Sequence, residues 1–254
     1  MDKINLMACI VFSLLLTGCG AEKTSENAAP KAAASSAVND PNAGSITGSV
    51  NFSGAKPAVK TIDMSANPAC VSTHNSPAAS EEVVVNNNGT LKYAFVWVKS
   101  GMAERNWQPP SSPAVLDQKG CIYTPHVIGV MVNQEVKFVN SDATNHNIHP
   151  LPRINEEWNE SQPPNGEPKL KRFAREEIMV PTKCNIHPWM RAWIGVVSHP
   201  FFAVTGEDGS FKLKGIPPGK YTLAAWHEKY GTNEIEVVVA PKEDKTVNFD
   251  YKPE

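Results

Sequence analysis

Cys184-Asn185-Ile186-His187-Pro188-Trp189-Met190 puts a thiol, an imidazole and a thioether three residues apart on one short segment. Phe173 to Val180 before it and Arg191 to Val197 after it have strand character, so the three side chains fall on a loop between strands. Upstream, Asn145-His146-Asn147-Ile148-His149 follows two further apolar runs, Val127 to Val132 and Glu135 to Val139, separated by Asn133-Gln134. A soft thiolate, imidazoles and a weak thioether form the donor set suited to copper cycling between +1 and +2. The plain alternative is that a lone Cys is a small buried hydrophobe and a lone Met is core. Four ligand-type residues, His146, Cys184, His187 and Met190, in this order weigh against that alternative.

Strand signals continue outward from this segment. Ile46 to Phe52 alternates with strand period. Asn86-Asn87-Asn88-Gly89 is a hairpin signal between Glu82–Val85 and Lys92–Lys99. Tyr93, Phe95 and Trp97 alternate with Ala94, Val96 and Val98, so this strand is apolar on both faces and belongs in the middle of a sheet. Met102 to Pro113 reads as a junction, and Pro150 to Pro168 as a long polar loop. Phe201–Thr205, Ser210–Leu213, Tyr221–Trp226, Glu234–Val239 and Thr246–Tyr251 are short strands punctuated by Gly206-Glu207-Asp208-Gly209 and Pro217-Pro218-Gly219. The expected fold class is all-β, built as sandwiches.

Residues from about Lys119 to Val197 resemble the cupredoxins, and among them the amicyanins, whose ligand loop has the same Cys-x2-His-x2-Met spacing. The resemblance rests on the strand pair ending at Asn140, the His146-Asn147-Ile148 motif and the ligand loop. It implies a Greek-key β-sandwich and one mononuclear type 1 copper. His146, Cys184 and His187 would be equatorial ligands and Met190 the axial one. It also implies that Asn147 holds the ligand loop by hydrogen bonds, and that Pro188 and Trp189 lie at its exposed end near His187, whose exposed edge would be the electron port. His149 lies on the opposite face of a strand from His146, so only one of them can face the metal; the motif favours His146.

The stretches Thr205–Phe211 and Ile216–Leu223 resemble the carboxypeptidase regulatory-like, or transthyretin-like, β-sandwich. Its first two strands are missing from this region, and Ile46–Gly54 and Ala94–Gly101 are candidates for them. The expected organisation is therefore an insertion. Residues 44–101 and 200–254 would form the regulatory-like sandwich, with the cupredoxin-like domain, 102–199, between them. Insertion at an exposed loop is physically tolerated.

Lys3 and the apolar Ile4–Leu16 lead into Leu16-Thr17-Gly18-Cys19, which resembles a bacterial lipobox. The resemblance implies a signal peptide over 1–18 and lipidation at Cys19. It implies export to the periplasm or cell surface, with outer-membrane attachment as the default because Gly20, not Asp, follows. Residues 19–43, rich in Ala, Ser and Asn, read as a flexible tether. With Cys19 and Cys184 assigned in this way and Cys9 in the leader, Cys70 and Cys121 remain, a natural disulfide pair in an oxidising compartment. A second metal site from Cys70, His74, Cys121 and His126 is the open alternative.

Among 254 residues, 24 are Lys or Arg and 26 are Asp or Glu, with no long run of either sign, which excludes a nucleic-acid surface. No nucleophile–His–acid set and no Gly-rich phosphate loop is present, so no enzyme is expected. The expected function is one-electron transfer with an unidentified redox protein. Copper delivery or storage, or a binding module with a structural metal loop, are the alternatives. The seven Met form no Met-rich tract of the kind delivery would use.

Overall fold

Alternation of apolar and polar residues along the chain produces an almost wholly β structure. The computed structural model describes residues 40–253. The expected leader, lipidation site and most of the tether lie outside the described residues.

Strand β1 (Gly44–Phe52) precedes a one-turn helix, α1 (Pro68–Val71), and β2 (Phe95–Ser100). The middle of the chain forms β3 (Ala114–Gln118), β4 (Tyr123–Thr124), β5 (Val127–Met131), β6 (Val136–Asn140), β7 (His146–Pro150), β8 (Glu160–Gln162), β9 (Lys169–Lys171), β10 (Glu177–Lys183) and β11 (Arg191–Val197). The last part forms β12 (Phe202–Val204), β13 (Ser210–Ile216), β14 (Gly219–His227), β15 (Gly231–Val239), β16 (Asp244–Thr246) and β17 (Phe249–Tyr251).

These strands make four sheets. One runs β13-β1-β16, with β17 also on β1, and a second runs β12-β2-β14-β15. The third runs β5-β11-β10-β7-β8 and the fourth β4-β3-β6-β9. Three apolar layers hold them together. Ile46 and Val50 of β1, with Leu213 and Phe249, meet Val96, Val98 and Leu223 of the second sheet. Leu116 and Phe138 of the fourth sheet meet Ile148, Val180 and Ile194 of the third. Between these two sandwiches, Phe95, Trp97 and Ala224 of the second sheet pack on Val127, Met179 and Val197 of the third. Strand β2 is thus buried on both faces, Val96 and Val98 facing one layer and Phe95 and Trp97 the other, as its double-sided apolar pattern requires.

Contact across the middle layer depends on two glycines paired across β5 and β11, Gly129 and Gly195. A Cβ on Gly129 would lie 2.5 Å from the Phe202 ring, and one on Gly195 would lie 2.4 Å from Met179 Cε and 2.7 Å from the Phe95 ring.

Several local expectations change. Glu82–Val85 is not a strand; only an isolated bridge joins Val85 to Leu91. The polar loop expected over Pro150–Pro168 carries β8, which pairs with β7. The run expected at Phe173–Val180 is displaced towards the ligand loop and continues to Lys183. The segment between β1 and β2 does not stay with β1: Ile62, Met64, Cys70 and Ala78 pack in the core between the third and fourth sheets.

Candidate metal centre

The ligand loop is a tight turn between β10 and β11, closed by Cys184 N–H to the Met190 carbonyl at 3.2 Å and Met190 N–H to the His187 carbonyl at 2.9 Å. Lys183 and Arg191 pair at its base. Strand β7 runs beside β10 and brings His146 to the same place. Nδ1 of His146 and Nδ1 of His187 are 2.9 Å apart, and Cys184 Sγ is 3.8 Å from His187 Nδ1. One donor atom from each of His146, Cys184 and His187 lies within 4.8 Å of the others, and all three residues are buried. Met190 is fully buried in the same apolar cluster as Cys184. His149 turns to the other side of β7, where Nδ1 meets Asn185 Oδ1 at 3.1 Å and Nε2 meets Glu157 at 2.7 Å.

The outward nitrogens of both converging imidazoles are occupied. Asp142, 5% exposed, takes His146 Nε2 at 2.8 Å, Gly120 N–H at 2.6 Å and Cys121 N–H at 2.8 Å. Its pKa is pulled both ways. Burial raises it, but the bonds from His146 and from the two backbone N–H groups prevail, and the carboxyl lies below the usual range. A carboxylate on the far nitrogen fixes a histidine's orientation and makes the near nitrogen a stronger donor. His187 Nε2 meets the side-chain amide of Asn67 at 2.6 Å and lies 3.5 Å from Cys70 Sγ. Burial and the neighbouring His146 lower the His187 pKa, which favours the neutral ring that a metal needs. Burial also opposes charge on Cys184. The His146 bond and the N–H groups of Asn147, His187 and Ile186 outweigh it, so the thiol is held below its ordinary value.

Three donor atoms therefore converge, and the remaining ring nitrogens are tied back. Thiolate, two imidazoles and a buried thioether close by are the donor chemistry copper prefers, so the residues fit that ion. Asn147 ties the loop to β7. Its N–H points to Cys184 Sγ at 3.4 Å, its Oδ1 accepts the Asn185 N–H, and its amide bonds to Asn159.

The loop's surroundings differ from expectation at one point. His187 has no exposed edge; it is 1% exposed. The cause is the segment carrying α1, whose N-cap Asn67 covers the ring and whose Cys70 is bonded to Cys121. Trp189 is half-buried, its ring 5.2 Å from that of His187 and its Nε1–H donating to the Cys121 carbonyl at 2.9 Å. Only Pro188, of the two residues expected at an exposed tip, is exposed. The Cys70–Cys121 disulfide uses both thiols that a second metal site would need. His74 bonds to the Gly120 carbonyl at 2.7 Å and His126 pairs with Glu228 at 2.6 Å. Sequence reasoning missed Asn67 and Asp142. The Asn67-Pro68 pair is a helix-start signal that could have flagged the first.

A search of curated proteins finds no match. Among solved structures, a copper-containing nitrite reductase from Thermus scotoductus SA-01 aligns at 21% identity and a TM-score of 0.30, over 38% of this chain and 25% of that one. The chain thus spans about a quarter of that protein's length. A purple cupredoxin from Nitrosopumilus maritimus aligns at 20% identity and a TM-score of 0.28, over 33% of this chain and 98% of that one. An amicyanin mutant in the Cu(I) form aligns at 21% identity and a TM-score of 0.30, over 41% of this chain and 98% of that one. These likenesses are partial in extent and in score. The sequence of residues 195–252, which run from the end of β11 through β17, is similar to the carboxypeptidase regulatory-like domain.

Proposed function

We propose that this chain is a mononuclear copper protein that carries one electron at a time. The observation that carries the reading is the convergence of one donor atom each from His146, His187 and Cys184 within 4.8 Å, with the buried Met190 on the same loop. Copper bound there would supply a reversible one-electron couple.

The protein's part is to hold the donors still. Asp142 fixes the His146 ring, the Asn67 amide meets the outward nitrogen of His187, and Asn147 pins the loop to β7. Burial excludes water from the donors. A sealed site of this kind supports retention of the ion rather than release, which weighs against copper delivery. In this reading residues 102–199, with the 62–78 segment packed on them, bear the copper, and the rest of residues 44–101, with residues 200–254, support them. Lipidation at Cys19 and the tether to residue 43 would keep the protein at a membrane surface, at the periplasm or cell surface, within reach of a redox partner. Labelling cells with a fatty acid would mark the wild type and not Cys19→Ala.

The central test is the visible and EPR spectrum after adding Cu(II), beside Cys184→Ser. A strong thiolate-to-copper band at one copper per chain, absent in the variant, is expected. A colourless protein that takes up no stoichiometric Cu(II) would remove the reading.

A further inference from the structure

With His187 closed by the α1 segment, the site nears solvent elsewhere. A groove of about 640 Å³ runs along the base of the ligand loop, and Cys184 itself forms part of its wall. Leu151, Thr182 and Pro188 line it, and Lys183 and Arg191 stand at the β10–β11 pair on its rim. Ile186, the next exposed residue of the loop, is 49% exposed although apolar. No acidic side chain lines this groove. Among the described residues neither Lys183 nor Arg191 takes part in an ion pair, unlike Lys60, Lys92, Lys99, Lys169, Lys171 and Lys245. Thr182 Oγ1 is buried in the groove wall with no hydrogen-bond partner in the protein. A second cleft shares Pro188 and Arg191 with the groove and is lined by Asp63, Glu81, Glu82 and Glu228, together with Lys60 and His126. Lys183 therefore stands on the Cys184 side alone, and Arg191 stands between the groove and the cleft that holds the carboxylates.

We infer that the groove beside Cys184, framed by Lys183 and Arg191, is the docking surface for an acidic redox protein, and that electrons pass on the Cys184 side rather than through His187. The inference rests on the copper reading above. Two cations held in no ion pair at a concave, partly apolar surface attract a negative patch and orient it, and such steering acts mainly on the association rate. A partner seated there meets the loop at Asn185 and Pro188, with Cys184 in the same wall. The transfer is a one-electron exchange. The bound copper loses an electron and the acceptor gains it, with no bond made or broken in the chain.

The test uses the full chain in detergent, copper-loaded and reduced. It is mixed with hexacyanoferrate(III), an anionic oxidant, or with tris(phenanthroline)cobalt(III), a cationic one. At about 10 mM ionic strength, Lys183→Glu/Arg191→Glu is expected to slow the anion at least about tenfold and to leave the cation unslowed, the gap closing as salt is added. Lys212→Glu/Lys214→Glu changes net charge equally on exposed positions of β13, and is expected to slow the anion far less. The inference is overturned if the groove variant keeps its copper band and its anion rate within about twofold of wild type, or if the β13 variant slows the anion as much. Loss of the copper band in the wild type is a different result: it removes the copper reading, and this inference with it.

Discussion

A carboxylate buried to 5% exposure is costly unless its lone pairs are answered. Asp142 is answered by Gly120 N–H, Cys121 N–H and His146 Nε2, so one side chain links the disulfide's backbone to the His146 ring. Asp142→Asn is expected to lower copper affinity by about 10–100-fold, as loss of such outer partners commonly does, and competition against a chelator would measure it. Unchanged affinity would show that β7 orients His146 without help. His227 presents the opposite case, a ring buried without an acidic hydrogen-bond partner. Burial lowers its pKa to about 4, below the ordinary 6.5. The unfolded chain therefore binds this proton more readily than the folded one. Stability is complete above pH 6.5 and falls as pH drops through the window from 6.5 to about 4. The full loss is on the order of 3 kcal/mol at about 1.4 kcal/mol per pKa unit. Denaturant titrations at pH 7 and pH 5 should show a smaller difference for His227→Gln than for the wild type. At this scale the sequence revealed donor types and their order, because spacing on one loop is local information. Asn67 was legible only as a helix start, not as a partner of a ring 120 residues away, and Asp142, though 4 residues from His146, carries no spacing that marks it as that ring's partner.

Among the elements, the α1 segment does most to change the centre. It is held by the Cys70–Cys121 bond, which closes a span of 51 residues. In the chain-entropy description a loop of that length is worth about 4 kcal/mol. Cys70→Ser/Cys121→Ser is expected to lower the denaturation free energy by up to that amount, and also to make His187 accessible to solvent exchange. Stability loss without added exchange would show that Asn67 alone keeps the ring covered. On β11, Gly195→Ala would drive a methyl group into Met179 and Phe95, and overpacking of that kind costs about 1–3 kcal/mol. A denaturation midpoint equal to wild type would show that the middle layer yields. Strands such as β1, β2 and β14 were readable because buried residues recur along one face, or, over the first four residues of β2, along both. The short β8 and β9 were not, because three residues paired at a sheet's edge carry no period of their own. Glu177 shows what does organise that region. Its buried carboxylate accepts the N–H groups of Ile154 and Asn155 at 3.2 and 3.0 Å, fixing the start of the long loop from β10.

For the molecule as a whole, the middle apolar layer decides whether two sandwiches behave as one. Phe95, Trp97, Val127, Met179, Val197 and Ala224 are all buried there and come from both sandwiches. Heating is expected to give one cooperative transition for residues 40–253, followed by calorimetry; two resolved transitions would show that the layer couples them weakly. The pairing of β1 has a further consequence, in time rather than in space. Gly44 pairs with Ile216, and Val50 with Phe249. The first strand of the described residues to leave the ribosome thus finds its neighbours only when nearly the whole chain has followed it. Contacts this distant in sequence are slow to form, because a long loop must close before they repay its entropy. Until then β1 offers unpaired backbone to any other strand nearby, and a chain halted before Phe249 would leave that edge open for good.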